Sequence, residues 1–391
     1  MKRIISYLHL KEVGVFELLF VMYPILSGYR YGNIPMLLVI LLLLDVVAIY
    51  KGRLRVRFDA KYLKLAAFFV VFHETILFVT MKSIPSYFVN LYISYIVIFL
   101  SIYLVAPMLN YRKLIGSFSW IAIISIGGLL YQYMILLGGG SVTPIPLPFL
   151  PALDEGTRVY SFLNRPSSFF WEPQSFCSFM FVPLFLALYE KKMMWAIVIT
   201  VSMFLSGSTT GIIISLLMLG VSVFSSDVNK TYKFLFVLFG VAMVYLLFNS
   251  SLFEAGVSKM EDTTFEENSR LFNGVTLVLR MPFINWITGV NYANVADYYF
   301  SGEVGSAFLL EKFDTIYMST IWMILIKYGL IGTFLYVMTI VGPIKQCRSI
   351  YIYAIAIVVT MFSNPDYIGA MYAFEMIFIY AFVTNSKRYM Q

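Results

Sequence analysis

The sequence predicts an all-α polytopic membrane protein with about twelve spanning segments, built as a single integral-membrane domain over residues 1–391. Two observations predict this. Apolar stretches of spanning length recur from Val13 to the C-terminus. The composition is 60% hydrophobic and 13% charged, with a mean hydropathy of +0.82, far from a soluble domain. A third observation orients the chain. Lys and Arg fall on alternate connections, and 19 of the 28 lie on one side if the N-terminus is inside. Inverting the chain would place the basic loop Lys51–Lys64 outside, which the orientation rule disfavours. A bacterial inner-membrane protein with both termini cytoplasmic is therefore expected. The opening residues Met1–Lys11 lack a small-residue cleavage site, so the first span should be retained.

The spans follow in order. A helix needs roughly 20 mostly apolar residues to cross about 30 Å of hydrocarbon. Such stretches lie near Val13–Ser27, Ile34–Tyr50, Tyr62–Thr80, Tyr87–Leu109 and Leu114–Leu137. Then come Glu172–Tyr189 and a broken pair, Met193–Ser206 and Gly211–Phe224, each too short to cross alone at 1.5 Å per residue. The polar turn Ser206-Gly-Ser-Thr-Thr-Gly211 joins them. Such backbone at depth must face a cavity or be packed by protein, and both readings are open. Phe234–Asn249, Thr315–Gly342, Ile350–Phe362 and Ile368–Val383 complete the set. Two long periplasmic segments interrupt it. Residues 138–171 open with three glycines and the proline-rich stretch Pro144–Pro151, which favours extended chain and turns. Residues 250–314 are acidic around Glu261–Glu267. They then carry an amphipathic stretch, Ser269–Arg280, with Leu271, Val275, Val278 and Leu279 at helical spacing, suited to the membrane surface.

Charge and metal-ligand counts exclude several classes. The net charge of +7 flanks spans, so it does not point to nucleic acid. Two histidines cannot build a His-rich zinc site. Cys177 and Cys347 fall on opposite halves of the topology, so no disulfide joins them. Glu17, His73, Glu74, Lys327 and Glu375 are ionisable residues buried within spans. Each is costly in lipid and should be paired inside the bundle, for example Lys327 with Glu375.

Four arginines in the two long outer segments stand against the orientation rule: Arg158, Arg165, Arg270 and Arg280. A guanidinium is always charged, and its forked donors match phosphate oxygens. Arg158 lies near Asp154 and Glu155 and reads best as a salt-bridged surface residue. Arg165 precedes Glu172-Pro173, where Pro suits the first helical turn and a carboxylate complements the helix dipole. Glu172 thus reads as a helix-start residue or as a general base. Asp314-Thr-Ile-Tyr317 precedes the last long span and its glycine pair in Gly329-Leu-Ile-Gly332. Asp314 is a candidate helix cap, an active-site acid, or both.

In their order, spacing and side of the membrane these motifs resemble the Wzy-type polysaccharide polymerases and, more distantly, the O-antigen ligases. The resemblance runs from Arg165 onward. It rests on Arg165…Glu172-Pro173, on Leu205-Ser-Gly-Ser-Thr-Thr-Gly211, and on Arg270 before the stretch ending at Pro282 and Thr288-Gly289-Val290. Asp314-Thr-Ile-Tyr317…Gly329-Leu-Ile-Gly332 completes it. Ligase-like members carry Arg at the place of Thr209 and His at the place of Asp314, so the chain sits closer to the polymerases.

The resemblance implies a GT-C-like architecture and a metal-independent glycosyltransferase without cofactor. It would join undecaprenyl-pyrophosphate-linked oligosaccharides on the periplasmic face. Arg270, helped by Arg280 and Arg165, would stabilise the departing pyrophosphate. Asp314 or Glu172 would take the proton of the attacking sugar hydroxyl. Arg158, Tyr317 and Thr209 would complete substrate binding. Membrane lipid and a chain-length regulator protein are the partners to expect. A flippase or transporter for lipid-linked oligosaccharides is the rival reading, and a ligase the third. The absence of a clear inverted repeat argues against the transporter.

Overall fold

A computed structural model describes residues 7–31, 34–51, 60–80, 86–148, 150, 165–225, part of 231–245, 269–293, 295–301, 318–363 and 368–389. Apart from a two-residue hairpin ladder, Arg30–Tyr31 (β1) against Ile34–Pro35 (β2), the regular elements are helices. In chain order they are α1 Val15–Leu26, α2 Met36–Tyr50, α3 Lys61–Thr80, α4 Ser86–Val105, α5 Tyr111–Leu137, α6 Pro173–Tyr189 and α7 Met193–Leu205. There follow α8 Thr209–Ser225, α9 Ser269–Arg280, α10 Phe283–Thr288, α11 Val295–Phe300, α12 Thr320–Val341, α13 Tyr351–Thr360 and α14 Ala370–Tyr389. The expected span Phe234–Asn249 lies largely outside the described residues, as do Arg158, Asp314 and Tyr317.

Among the described residues four helices are long and apolar enough to cross a membrane: Lys61–Thr80, Tyr87–Met108, Tyr111–Leu137 and Thr320–Lys345. Shorter apolar helices include α1, α2 and α6 to α8. The outward faces are greasy: Phe68 and Phe72 on α3 stack at 5.8 Å yet remain exposed. Contiguous exposed apolar surface of this kind belongs against lipid, and the protein is membrane-embedded in character.

The chain forms two compact units, residues 1–44 with 109–262 and residues 45–108 with 263–391. In the first, α1 packs on α5, and α6 packs on α7 and α8. Glu17 of α1 shows why its burial is tolerated: its Oε1 accepts from the Asn110 N–H at 2.9 Å. Asn110 is the cap of α5 and accepts from the Arg112 and Lys113 N–H groups at 3.1 and 3.3 Å, satisfying donors that the helix itself cannot. Helix α6 is buried from Phe176 to Leu188, as befits a helix that is apolar all round and central.

In the second unit, α3 and α10 pack on α12, and α4 packs on α14. Helix α9 has the boundaries its sequence pattern predicts. Its buried face is Gly274, Leu277 and Val278, at steps of three and one, while Leu279 is exposed. Leu279 thus leaves the expected stripe. A Cβ on Gly274 would fall on the Trp322 side chain of α12, so the close approach of the two helices sets the face, and Leu279 points about 100° away from Val278.

Helix α12 begins at Thr320 with Ser319 at its cap position. The reading of Asp314 as that cap is therefore incorrect; the chain enters the helix five residues later. The glycine pair lets the helix be approached closely and also interrupts it. Gly329 has φ 65° and ψ −170° and breaks α12 in two. Gly289, at φ 82°, lies against the Lys327 carbonyl, and Gly329 lies against the Ile287 carbonyl. The Val290 N–H donates to the Ile326 carbonyl at 2.9 Å. Two backbones thus meet through two glycines in a region that other residues avoid. Gly329→Ala is expected to lower stability by about 1–3 kcal/mol or more from strain alone, read as a lower thermal midpoint in detergent. A rise would mean that α12 prefers to be continuous.

Candidate functional site

The first unit builds a polar cluster from three separated motifs. Helix α5 supplies Gln132, whose Oε1 accepts from the Ser167 and Ser168 N–H groups at 3.0 and 2.7 Å. Its Nε2 donates to the Thr143 carbonyl at 2.7 Å. One amide therefore fixes both ends of the segment between α5 and α6 on one helix. Ser168 adopts φ 58°, a left-handed conformation that costs a non-glycine residue energy and persists because its N–H and carbonyl are both held.

Arg165 stands three residues before Ser168. Its Nη2 donates to the Gly207 carbonyl at 2.7 Å, in the turn between α7 and α8. Gly207 is left-handed at φ 67°. The turn is packed by protein in part, and Gly207, Thr209 and Thr210 keep partial exposure. Ser206 and Ser208 are buried, the Ser206 hydroxyl lies 3.1 Å from the Cys177 sulfur, and the Tyr133 hydroxyl donates to the Leu205 carbonyl. A Cβ on Gly211 would fall on that sulfur. Helices α7 and α8 both pack on α6, while that partial exposure keeps the cavity reading open. Thr209 starts α8 and is half-buried.

Glu172 is the cap residue of α6 with Pro173 behind it, as expected, but its side chain makes no capping bond. Its charge instead acts on Arg165. Burial pushes the Arg165 guanidinium down from its ordinary value, while Glu172 and then Cys177 hold it up. Arginine stays protonated under such pressure. Among the described residues the Arg165 Nε is buried with no hydrogen-bond partner. The cluster is thus a cation with an unused donor, beside a carboxylate, on a loop pinned by Gln132. Chemically it can grip an anionic oxygen.

The second unit holds a different cluster. Lys327 of α12 is wholly buried and pairs with Glu74 of α3, its Nζ 3.2 Å from Oε1 and 3.3 Å from Oε2. It also donates to the Tyr292 and Ala293 carbonyls at 2.8 and 2.7 Å. The expected pairing with Glu375 is incorrect; α3 rather than α14 presents the carboxylate to the break in α12. His73 Nδ1 lies 3.5 Å from Glu74 Oε1. Arg270 stands in the first turn of α9, and Arg280 at its other end is exposed.

Three polar residues escaped the sequence reading. Asp45 is buried in α2 and accepts from the Ser101 hydroxyl at 2.7 Å. Asp297 of α11 accepts from the Tyr87 hydroxyl. Gln132 is the third. Asp45 carried a signal, a lone carboxylate inside Leu41-Leu-Leu-Leu-Asp45-Val-Val; Gln132 and Asp297 carried only their polarity. The cysteines are free and buried. No protein-family model matches the chain, and neither a curated protein nor a solved structure matches it.

Proposed function

We propose that this protein is a metal-independent membrane glycosyltransferase, a polysaccharide polymerase with about twelve spans in a GT-C-like arrangement. It would act at the outer face of the bacterial inner membrane. A growing glycan on undecaprenyl pyrophosphate would be the donor, and a hydroxyl of an incoming repeat unit would attack its anomeric carbon. A new glycosidic bond forms, the bond to the pyrophosphate oxygen breaks, and undecaprenyl pyrophosphate leaves. The observation that carries this reading is Arg165, held beside Glu172 with its Nε donor unspent. Two motifs far apart in sequence, Arg165…Glu172 and the Ser206–Thr209 turn, meet there through the Gly207 carbonyl.

Pyrophosphate is a good leaving group, so cations that stabilise developing charge do the principal work. Arg270 and Arg280 carry that role in the resemblance and keep it in the proposal, as do Asp314 or Glu172 as base and Arg158, Tyr317 and Thr209 as binding residues. The test is complementation of a strain lacking the protein. Arg270→Ala and Arg270→Lys, at normal expression, are expected to yield single repeat units displayed outside and no long ladder. Full-length ladders from both would overturn the role of Arg270.

One observation favours a flippase or transporter as the second reading. Helix α12 is broken beside a buried Lys–Glu pair, and discontinuous helices with intramembrane charge hold cargo in secondary transporters. Against it, Lys327 has spent its donors on Glu74 and two carbonyls, leaving none for cargo. Loss of a flippase would trap repeat units on the inner leaflet; loss of a polymerase would leave them outside.

A further inference from the structure

We infer that the stretch from Met281 to Ala293 is a re-entrant segment, and that Leu279, Phe283 and Ile284 on its entry arm take lipid hydrocarbon as their partner. The sequence alone assigns this stretch to the second long outer segment, and the inference does not depend on the proposed function. From Met281 to Ala296 no residue is charged. Arg280 is the last charge before this run and Asp297 the first after it. Such a run is shorter than a spanning helix and of the length that enters a membrane and returns.

Contacts with α12 and with the neighbouring ends of α3 and α4 give the path. Gly274 of α9 lies against Trp322, in the first turn of α12. Further along α12, Gly329 lies against the Ile287 carbonyl, so the chain descends about 10 Å between these two contacts. Measured along the helix, Gly329 is about 13 Å from Thr320, where α12 begins, and about 24 Å from Lys345, where the apolar stretch ends. A hydrocarbon core of about 30 Å contains it on either count. Glu74, the partner of Lys327, is about 9 Å from the end of α3 at Thr80, an independent measure of the same depth. The chain then climbs. Ala293 packs with Leu77 and Phe88, and Asp297 accepts from the Tyr87 hydroxyl in the first turn of α4.

Backbone at such depth must be bonded or packed by protein. Here the Gly289 N–H donates to the Asn285 carbonyl and the Val290 N–H to the Ile326 carbonyl, each at 2.9 Å, and Lys327 serves the Tyr292 and Ala293 carbonyls. The side chains divide accordingly. Leu277 and Met281 are buried in the core that includes Ile326, whereas Leu279, Phe283 and Ile284 are 69%, 78% and 61% exposed. Large apolar side chains left bare on a chain that descends into the core have hydrocarbon rather than water as their neighbour. A helix lying flat on the surface would hold them at one level; these follow the descent.

The test uses the full chain in nanodiscs, with Leu279→Cys, Phe283→Cys and Ile284→Cys made singly. The native cysteines are buried, so the parent sets the background. Ser141→Cys, at an exposed position of the first outer segment, is the water-facing control. Reaction of Phe283→Cys and Ile284→Cys with a charged, membrane-impermeant maleimide is expected to be about tenfold or more slower than that of Ser141→Cys, because hydrocarbon excludes the reagent. All should react alike once unfolded in SDS. Nitroxides attached at the three sites, relaxed by oxygen against a water-soluble nickel chelate, should report a depth that increases from Leu279 to Ile284. If Phe283→Cys folds poorly, Ile284→Cys carries the comparison. Reaction as fast as at Ser141→Cys would overturn the inference. So would one shallow depth for all three sites, the result for a helix flat on the surface. Spin–spin broadening between two copies in one nanodisc would assign these side chains to protein and overturn lipid as their partner.

Discussion

Arg165→Ala is expected to abolish long polysaccharide in the complemented strain, with single repeat units still displayed outside. One preorganised donor aimed at developing charge is worth about 10²–10³ in rate, and polymer length compounds that loss at every addition. Arg165 has two tasks that must be separated. Its Nη2 bonds the Gly207 carbonyl at 2.7 Å, which pins the turn between α7 and α8, and its Nε is unspent. Arg165→Lys can restore a bond to that carbonyl but cannot supply a forked pair of donors. The lysine variant is therefore expected to match the parent in expression and thermal midpoint while still lacking long polymer. If lysine instead restores full-length ladders, Arg165 serves only to hold the turn, and the phosphate role is lost.

Elements and their ends were readable where a local pattern dictates them. Ser269–Arg280 alternates at helical spacing and forms the helix that spacing predicts. Glu172-Pro173 marks the start of α6 because proline has no N–H to leave unbonded. Partners were not readable. The cost of burying Lys327 is a property of the residue, so its need for an acid was plain. Which acid answers it depends on which helix packs there, and the sequence names Glu74 and Glu375 equally well. The same holds for the glycines. Gly329 announces a place without a side chain, but a close-packed helix and a broken helix both want one; the break appears only once Gly289 is brought against it. The Arg165 site lay between these cases. Each of its motifs was visible, while the bond that joins them runs from a side chain to a backbone carbonyl, which no residue letter records.

Lys327→Met is expected to be the most destabilising single change in the second unit. Both partners of the Lys327–Glu74 pair are fully buried. Breaking such a pair from one side costs about 3–5 kcal/mol because the other charge is left without compensation. Here the loss extends further, since the Tyr292 and Ala293 carbonyls also give up their donor. Those carbonyls follow the Gly289 turn that seats against the break in α12, so the ammonium fastens that segment to the helix. The double variant Lys327→Met with Glu74→Leu removes both charges and is expected to recover part of the lost stability, as replacement of a buried pair by apolar residues often does. Recovery should remain incomplete, because neither new side chain can donate to the two carbonyls. Thermal midpoints of the three variants in one detergent decide the matter. If the double variant is no more stable than Lys327→Met, the charge on Glu74 is not what the single change exposes, and the carbonyl bonds alone account for the role of Lys327.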